Sequence, residues 1–369
     1  MLIRLSSRRR WPVSFRPQSG EVLYSWLART AGIYELCPEE LLPEKNQYDA
    51  ISTLVQTPHP SVLESLAASS GVSARALAKR TLAGATPRWP PTWWLAAHAG
   101  NDPGFTEAST PPLQICPRCL AEDGHHSETV QFLRLRWQCS AMTICQKHLT
   151  PLEQACIHCH RICWPICVRI AFQRFGFLCG HCGSPQEQSG WACPEPDAAA
   201  IRLLARFENQ LVRALANQTV EWCWIGYATP QEFLLLVEDL LWAVTRDSFQ
   251  SRPIYKLYAA QFPLPNRTLP TAARCHWRFG CPSTRRSLLA AVLGIFAYPK
   301  ARSLLQGRGT YAFRWYELLV CLTVDKIDDL ERRSWHWPPA AHNAFRRAAH
   351  FPRDKRFFRA MGNSPCLQI

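Results

Sequence analysis

The chain has 369 residues, 47% of them apolar and 19% charged, with a formal net charge of +14 and 17 cysteines. That length accommodates two or three domains with cores of their own, and no stretch approaches the ~18 uninterrupted apolar residues of a membrane span, so a soluble protein is expected. Arg8, Arg9 and Arg10 mimic the basic start of a secretory leader, but Trp11 and Pro12 follow in place of an apolar core, which argues against secretion.

Residues 1–110 read as a helical domain. Between Glu21 and Ala31, the side chains of Leu23, Trp26, Leu27 and Ala31 fall near one helical face, and Gly32 stands where a left-handed residue would close the helix. Residues 61–84 read SVLESLAASSGVSARALAKRTLAG. Ser61 and Glu64 have the spacing of a capping box, Ser73 is placed to cap a second helix, and Gly71 falls in the turn between them. Ala67, Gly71 and Leu77 carry the offsets of a DNA-binding helix-turn-helix: a small residue at the crossing, a turn glycine and an apolar anchor. The outward face of the second helix would bear Arg75, Lys79 and Arg80, suited to phosphates or base edges. Short helix pairs around a glycine also occur in helical domains that touch no DNA, so both readings stand. Asn101 to Pro112 reads as a linker.

Residues 111–195 hold the metal-like pairs. Zinc takes four soft ligands in a tetrahedron, and two residues on one tight turn supply half of that shell. In chain order the pairs give Cys116, Cys119, Cys145 and His148 as one set, and Cys156, Cys159, Cys179 and Cys182 as an all-thiolate set. Nineteen residues lie between Cys159 and Cys179, a ribbon-like spacing, and 25 between Cys119 and Cys145, which is longer. Cysteines clustered this way in a large chain point to two structural Zn2+ ions rather than to disulfides. Cys163 and Cys167 follow closely enough to raise an iron–sulfur cluster, but their spacing misses the ferredoxin run. Cys37, Cys139, Cys193, Cys223, Cys275, Cys281, Cys321 and Cys366 read as buried apolar thiols, and His158, His160 and His181 as exposed knuckle residues. Within this region Leu133, Leu135 and Trp137 alternate with Arg134 and Arg136, the pattern of a half-buried strand with its arginines outward.

Residues 196–369 read as a C-terminal helical domain. Ala200, Leu204, Phe207, Leu211 and Leu215 step along one helical face, and Thr229-Pro230-Gln231-Glu232 forms a capping box with proline at the first helical position. A weaker helix-pair echo at Ser287 to Gln306, broken by Gly294 and Pro299 beside Arg285, Arg286, Lys300 and Arg302, reads as bundle.

Catalysis finds no support. Both ligand sets close their own tetrahedra and leave no position for a reactive water. His-Glu-x-x-His and deaminase patterns are absent, and Gly307-Arg308-Gly309-Thr310 lacks the length and lysine of a phosphate loop. Asp325, Asp328 and Asp329 read as an acidic helix face before a nuclease centre. The expectation is a non-enzyme whose basic charge makes DNA its partner.

Glu21-Val22-Leu23-Tyr24-Ser25-Trp26-Leu27-Ala28-Arg29 resembles the Glu-x-Leu-x-Ser-Trp-Leu-x-Arg signature of the TniQ/TnsD family. CPRCLAED at 116–123, Arg134 to Trp137, Cys145 to His148, Leu152 and the Cys156/Cys159 pair are similar to that family's zinc-finger core. The resemblance covers about half of the chain; residues beyond about 195 match only as generic helices. It implies a mainly α, multi-domain protein: a helix-turn-helix domain, a zinc-ribbon module with short strands and a helical bundle. It further implies a bacterial, cytoplasmic, nucleoid-associated accessory of DNA transposition that joins a target-recognising element to the AAA+ ATPase TnsC. Longer relatives bind an attachment site directly, whereas shorter ones adapt an RNA-guided CRISPR complex or a TnsC filament end, and this length favours the shorter kind. The family pattern has the long first zinc loop, while Cys163 and Cys167 depart from it. A homodimer stays open. Two rivals also stand: a zinc-containing helix-turn-helix transcriptional regulator and a metal-dependent nuclease.

Overall fold

The apolar stretch near the N-terminus, LYSWLARTAGI, forms α1 (Leu23–Ile33), in which every residue from Leu23 to Gly32 is buried. A helix covered on all sides must satisfy its polar side chains internally. Glu21, just before the helix, does this: its carboxylate accepts from Ser25 Oγ at 2.8 Å, from Arg29 Nε at 2.8 Å and from Arg29 Nη2 at 2.6 Å. Both members of this ion pair are fully buried. The computed structural model describes residues 10–43, 53–86, 93–95, 113–125, 130–161, 165–171, 174–187, 198–222, 225–244, 282–296 and 324–350. These are mostly helical and fall into two compact units, Met1–Glu195 with Arg278–Pro282, and Pro196–Trp277 with Ser283–Ile369. Among the described residues no helix is long and apolar enough to cross a membrane.

Gly32 does not end α1. The helix runs on to Ile33, and the left-handed residue is Glu35, at φ 57°. Gly32 is needed for space instead, because a Cβ there would lie 2.6 Å from the Cys167 carbonyl oxygen. That carbonyl belongs to β1 (Pro165–Ala171), which pairs antiparallel with β2 (Arg174–Cys179), Cys167 opposite Phe177, with an irregularity between Arg169 and Ala171. The hairpin lies on α1, where Tyr24 Oη donates to the Pro165 carbonyl at 3.0 Å.

The helix pair starts earlier than Ser61. α2 (Pro60–Ser70) is capped by His59, whose Nδ1 accepts from Ser61 N at 3.3 Å, so the Ser61–Glu64 box is not the cap. A proline at the first helical position holds His59 extended and sets the boundary there. As expected, Gly71 closes α2 at φ 74° and Ser73 Oγ caps α3 (Ala74–Ala78), accepting from Ala76 N at 3.2 Å. Leu77 is the buried anchor between them. A short α4 (Leu82–Ala85) follows, and α5 (Pro117–His125) opens the cysteine-bearing region.

The strand expected at Leu133–Trp137 is not formed; Leu135–Gln138 is a 3-10 turn. Its apolar residues are buried as their alternation suggests, but their backbone partners lie at the start of α1: Val22 N donates to the Leu133 carbonyl at 2.9 Å and Leu135 N to that of Gly20 at 2.7 Å. Two such bonds make a single bridge, Glu21 to Arg134, rather than a ladder. Arg136 is exposed as expected, whereas Arg134 turns inward onto Asp123, its Nη1 and Nη2 donating at 3.0 and 2.9 Å.

The second unit is built on α6 (Ala198–Leu215), the short pair β3 (Val220–Trp222) and β4 (Gly226–Ala228), α7 (Pro230–Val244), α8 (Pro282–Phe296), α9 (Val324–Ser334) and α10 (Pro339–Ala349). Leu204, Phe207, Leu211 and Leu215 form the buried face of α6, and Phe207 meets Trp222 edge-on with ring centres 5.4 Å apart. The capping box of α7 is present, Glu232 N donating to Thr229 Oγ1 at 3.3 Å and Thr229 N to Glu232 Oε2 at 3.0 Å. Asp239 on α7 is buried, accepting from Trp337 Nε1 at 2.7 Å and paired with Arg333. Asp325 and Asp328 are exposed on α9. The linker Asn101–Pro112, the loop Gly307–Thr310 and the 299–306 part of the helix-pair echo lie outside the described residues.

Candidate metal centres

Three of the four ligand pairs stand on the same backbone turn. In each, the residue four places after the first cysteine returns its N–H to that cysteine's carbonyl: Leu149 to Cys145 at 2.8 Å, His160 to Cys156 at 2.9 Å and Gly183 to Cys179 at 2.9 Å. The cysteine's own N–H reaches a carbonyl five places on, that of Thr150 at 2.8 Å, Arg161 at 2.9 Å and Ser184 at 2.8 Å. Such closure calls for a left-handed residue, and φ is 52° at Leu149, 58° at His160 and 71° at Gly183. For the leucine and the histidine this conformation costs about 1–2 kcal/mol, a strain retained at each knuckle. The remaining pair differs. Pro117 opens α5, so Cys116 precedes the first helical residue and Cys119 lies in the first turn, where the positive end of the helix favours thiolate.

The eight sulfur and nitrogen atoms gather into two groups, Cys116, Cys119, Cys145, His148 and Cys156, Cys159, Cys179, Cys182, each with all its ligand atoms within 4.8 Å of one another. In the first, His148 Nδ1 lies 3.4 Å from Cys116 Sγ, 3.3 Å from Cys119 Sγ and 3.7 Å from Cys145 Sγ, with the Cys119 and Cys145 sulfurs 3.6 Å apart. In the second, Cys156 to Cys182 and Cys159 to Cys179 both measure 3.7 Å between sulfurs. Metal–sulfur bonds of about 2.3 Å and metal–nitrogen bonds of about 2.0 Å give a tetrahedron edges of about 3.5–3.8 Å. Disulfides would require sulfurs about 2.05 Å apart. Both groups could therefore hold a metal ion, and the donor set is consistent with zinc.

Their surroundings differ. Cys116, Cys119 and Cys145 are completely buried. His148 turns Nδ1 to the sulfurs and sets Nε2 2.7 Å from Glu122 Oε1, with Lys147 paired to the other carboxylate oxygen. Hydrogen bonds from Lys147 and His148 pull the Glu122 carboxyl down to about 2, so it stays ionised and holds the imidazole in the tautomer that presents Nδ1. In the second group Cys179 and Cys156 are buried, Cys159 is half-buried and Cys182 is exposed. Ser184, through its hydroxyl and its backbone, pulls the Cys182 thiol down to about 6. Gln186 Nε2 donates to Cys156 Sγ at 3.3 Å, and the His158 and His181 amides donate to the first sulfur of their knuckles at 3.4 Å.

Among the other cysteines, Cys139 is buried as expected and Cys37 is not. Cys37 leads into the 3-10 turn Pro38–Leu41, where Glu40 Oε2 accepts its N–H at 2.7 Å, a position on the surface. Cys167 is buried in β1 and joins neither ligand group; burial pushes its thiol up to about 12. Cys163, Cys193, Cys223, Cys275, Cys281, Cys321 and Cys366 lie outside the described residues. His158, His160 and His181 are exposed, as expected of knuckle residues.

Glu122 and Gln186 support the groups without having been singled out. Glu122 had a signal, since it stands one helical turn after Cys119, on the face that returns to the ligands. Gln186 had none, because only the hairpin brings it back. On the helix pair, Arg75 and Lys79 are exposed, whereas Arg80 is half-buried and its carbonyl accepts from Leu23 N at 2.8 Å. Arg10 joins them unannounced: it is exposed and lies over the turn, where a Cβ on Gly71 would come 2.6 Å from its Nη2. No curated protein matches the chain. Residues 12–152, which include α1, the helix pair and the first ligand group, match the family model for TniQ, so this part of the chain is a TniQ domain, and the match spans less than half of the chain.

Proposed function

We propose that the chain is a non-catalytic accessory of DNA transposition, and the TniQ domain over residues 12–152 is the observation that carries this reading. Two structural Zn2+ ions, one per ligand group, fix the knuckles into rigid surfaces, since binding energy at such groups is folding energy. The exposed Arg75 and Lys79, with Arg80 behind them and Arg10 over the turn, meet DNA phosphates in a helix-turn-helix arrangement. The chain thereby links a target-recognising element, either DNA-bound or an RNA-guided complex, to a TnsC-like AAA+ ATPase. Residues 1–110, 111–195 and 196–369 are the working division of these tasks.

The test is retention of a TnsC-like AAA+ ATPase on the immobilised chain, with and without duplex DNA. Retention that is strengthened by DNA and ATP is expected. A chain that ignores the ATPase while binding one short duplex with high selectivity is a regulator instead, and the proposal fails. DNA affinity should also fall by about tenfold or more between 50 and 200 mM salt if several phosphates are contacted.

A further inference from the structure

Trp335, in the turn between α9 and α10, is 66% exposed, while Ser334 before it and Trp337 two places after it are buried. Single exposed apolar residues are ordinary, but this ring is held in place. His342 packs against it at 4.5 Å between ring centres, and the Arg346 guanidinium lies 5.5 Å from its centre. His342 is itself fixed by Ser334, whose Oγ lies 2.9 Å from its Nδ1. The indole is thus a positioned platform with open surface.

Its rim is cationic. From Arg332 to His350 there is no carboxylate, and Arg332, Arg333, Arg346 and Arg347 are all exposed. The acids nearest the turn pair with these cations, Asp329 with Arg332 at 3.5 Å, Glu331 with Arg346 at 3.8 Å and His350 at 3.0 Å, and the buried Asp239 with Arg333, which leaves Arg347 in no ion pair among the described residues, while Asp325 and Asp328 are exposed further back on α9. Tryptophan and arginine together also mark protein hot spots, but those are packed among further contacts, and among the described residues of α9, α10 and the turn between them Trp335 is the one exposed large apolar side chain. One arginine over the open ring, with Arg332 and Arg347 exposed on the helices that flank the turn, matches a phosphate chain carrying exposed bases, on which stacking is tolerant of sequence.

We propose that this corner binds single-stranded nucleic acid, an unpaired base stacking on Trp335 while phosphates meet Arg332, Arg346 and Arg347. The surface belongs to the second unit, beyond the TniQ match, and stands whether or not the transposition reading holds.

The experiment measures anisotropy of a labelled oligothymidylate and of an abasic oligomer of equal length, using the full chain. The parent should bind the oligothymidylate about tenfold more tightly than the abasic strand. Trp335→Ala should lose that preference and keep abasic binding, Trp335→Phe should largely retain it, and Arg346→Ala with Arg347→Ala should weaken both probes alike. A parent with no preference for bases overturns the proposal without recourse to any variant. So does a Trp335→Ala chain that binds oligothymidylate normally, including one that instead loses a protein partner or self-association.

Discussion

The first ligand group is enclosed by its unit: three sulfurs fully buried, a histidine locked by Glu122, and a helix beginning at one of its cysteine pairs. The second closes the end of a hairpin that is already zipped by backbone hydrogen bonds and seated on α1, and one of its ligands is open to solvent. The same knuckle geometry serves both, so the difference lies in what else would hold each region if the ion left. Around the first group Ile115 would still exchange backbone hydrogen bonds with Glu153, but three fully buried thiols would be left crowded together without the cation that stabilises them as thiolates. Around the second, the hairpin and its contact with α1 persist.

Cys119→Ser gives the largest expected effect and the sharpest break between the groups. It should abolish one of two bound zinc ions and destabilise the first unit by about 5 kcal/mol or more, leaving little folded protein, read by metal analysis and soluble yield. Cys182→Ser should likewise remove one zinc but cost only about 2 kcal/mol, with a cooperative thermal transition preserved. Equal losses in the two variants would erase the distinction. Gly32→Ala comes next, at about 1–3 kcal/mol, because its methyl group meets the backbone of β1 rather than a movable side chain. It should loosen the second group's hairpin before the first group, seen as faster zinc transfer to a chelator from one site only. Glu122→Gln is the mildest in stability and the most selective: about 10–100-fold weaker zinc binding at the first group, with no change at the second.

The sequence disclosed what depends on neighbours along the chain. Cysteine spacing, the Gly71 turn, the Ser73 cap and the Thr229/Glu232 box are all written within a few residues, and each is present in the structure. The failures share the opposite cause. Leu133 to Trp137 alternates like a strand, but its backbone partners come from a segment more than a hundred residues earlier. Gly32 was placed correctly as a special position and given the wrong physics, because the carbonyl it must avoid lies on a strand invisible to local reasoning. Glu122 and Gln186 are ordinary surface-type residues until the fold brings them to the ligands. Cys37 shows the limit of residue averages, since a thiol at a turn entrance has no core to enter.

Ser25 is the smallest member of the buried network around Glu21, yet it joins the two halves of the TniQ segment. Its hydroxyl donates to Glu21 and accepts the Leu133 amide at 2.9 Å, across 108 positions of sequence. A hydroxyl has a single proton to give, so the direction of this relay is fixed: the carboxylate orients the serine, and the serine then receives the distant backbone. The cysteine-bearing segment is consequently not a transferable cassette. Attached to a helix without a serine at this position, it would leave the Leu133 amide buried and short of its acceptor.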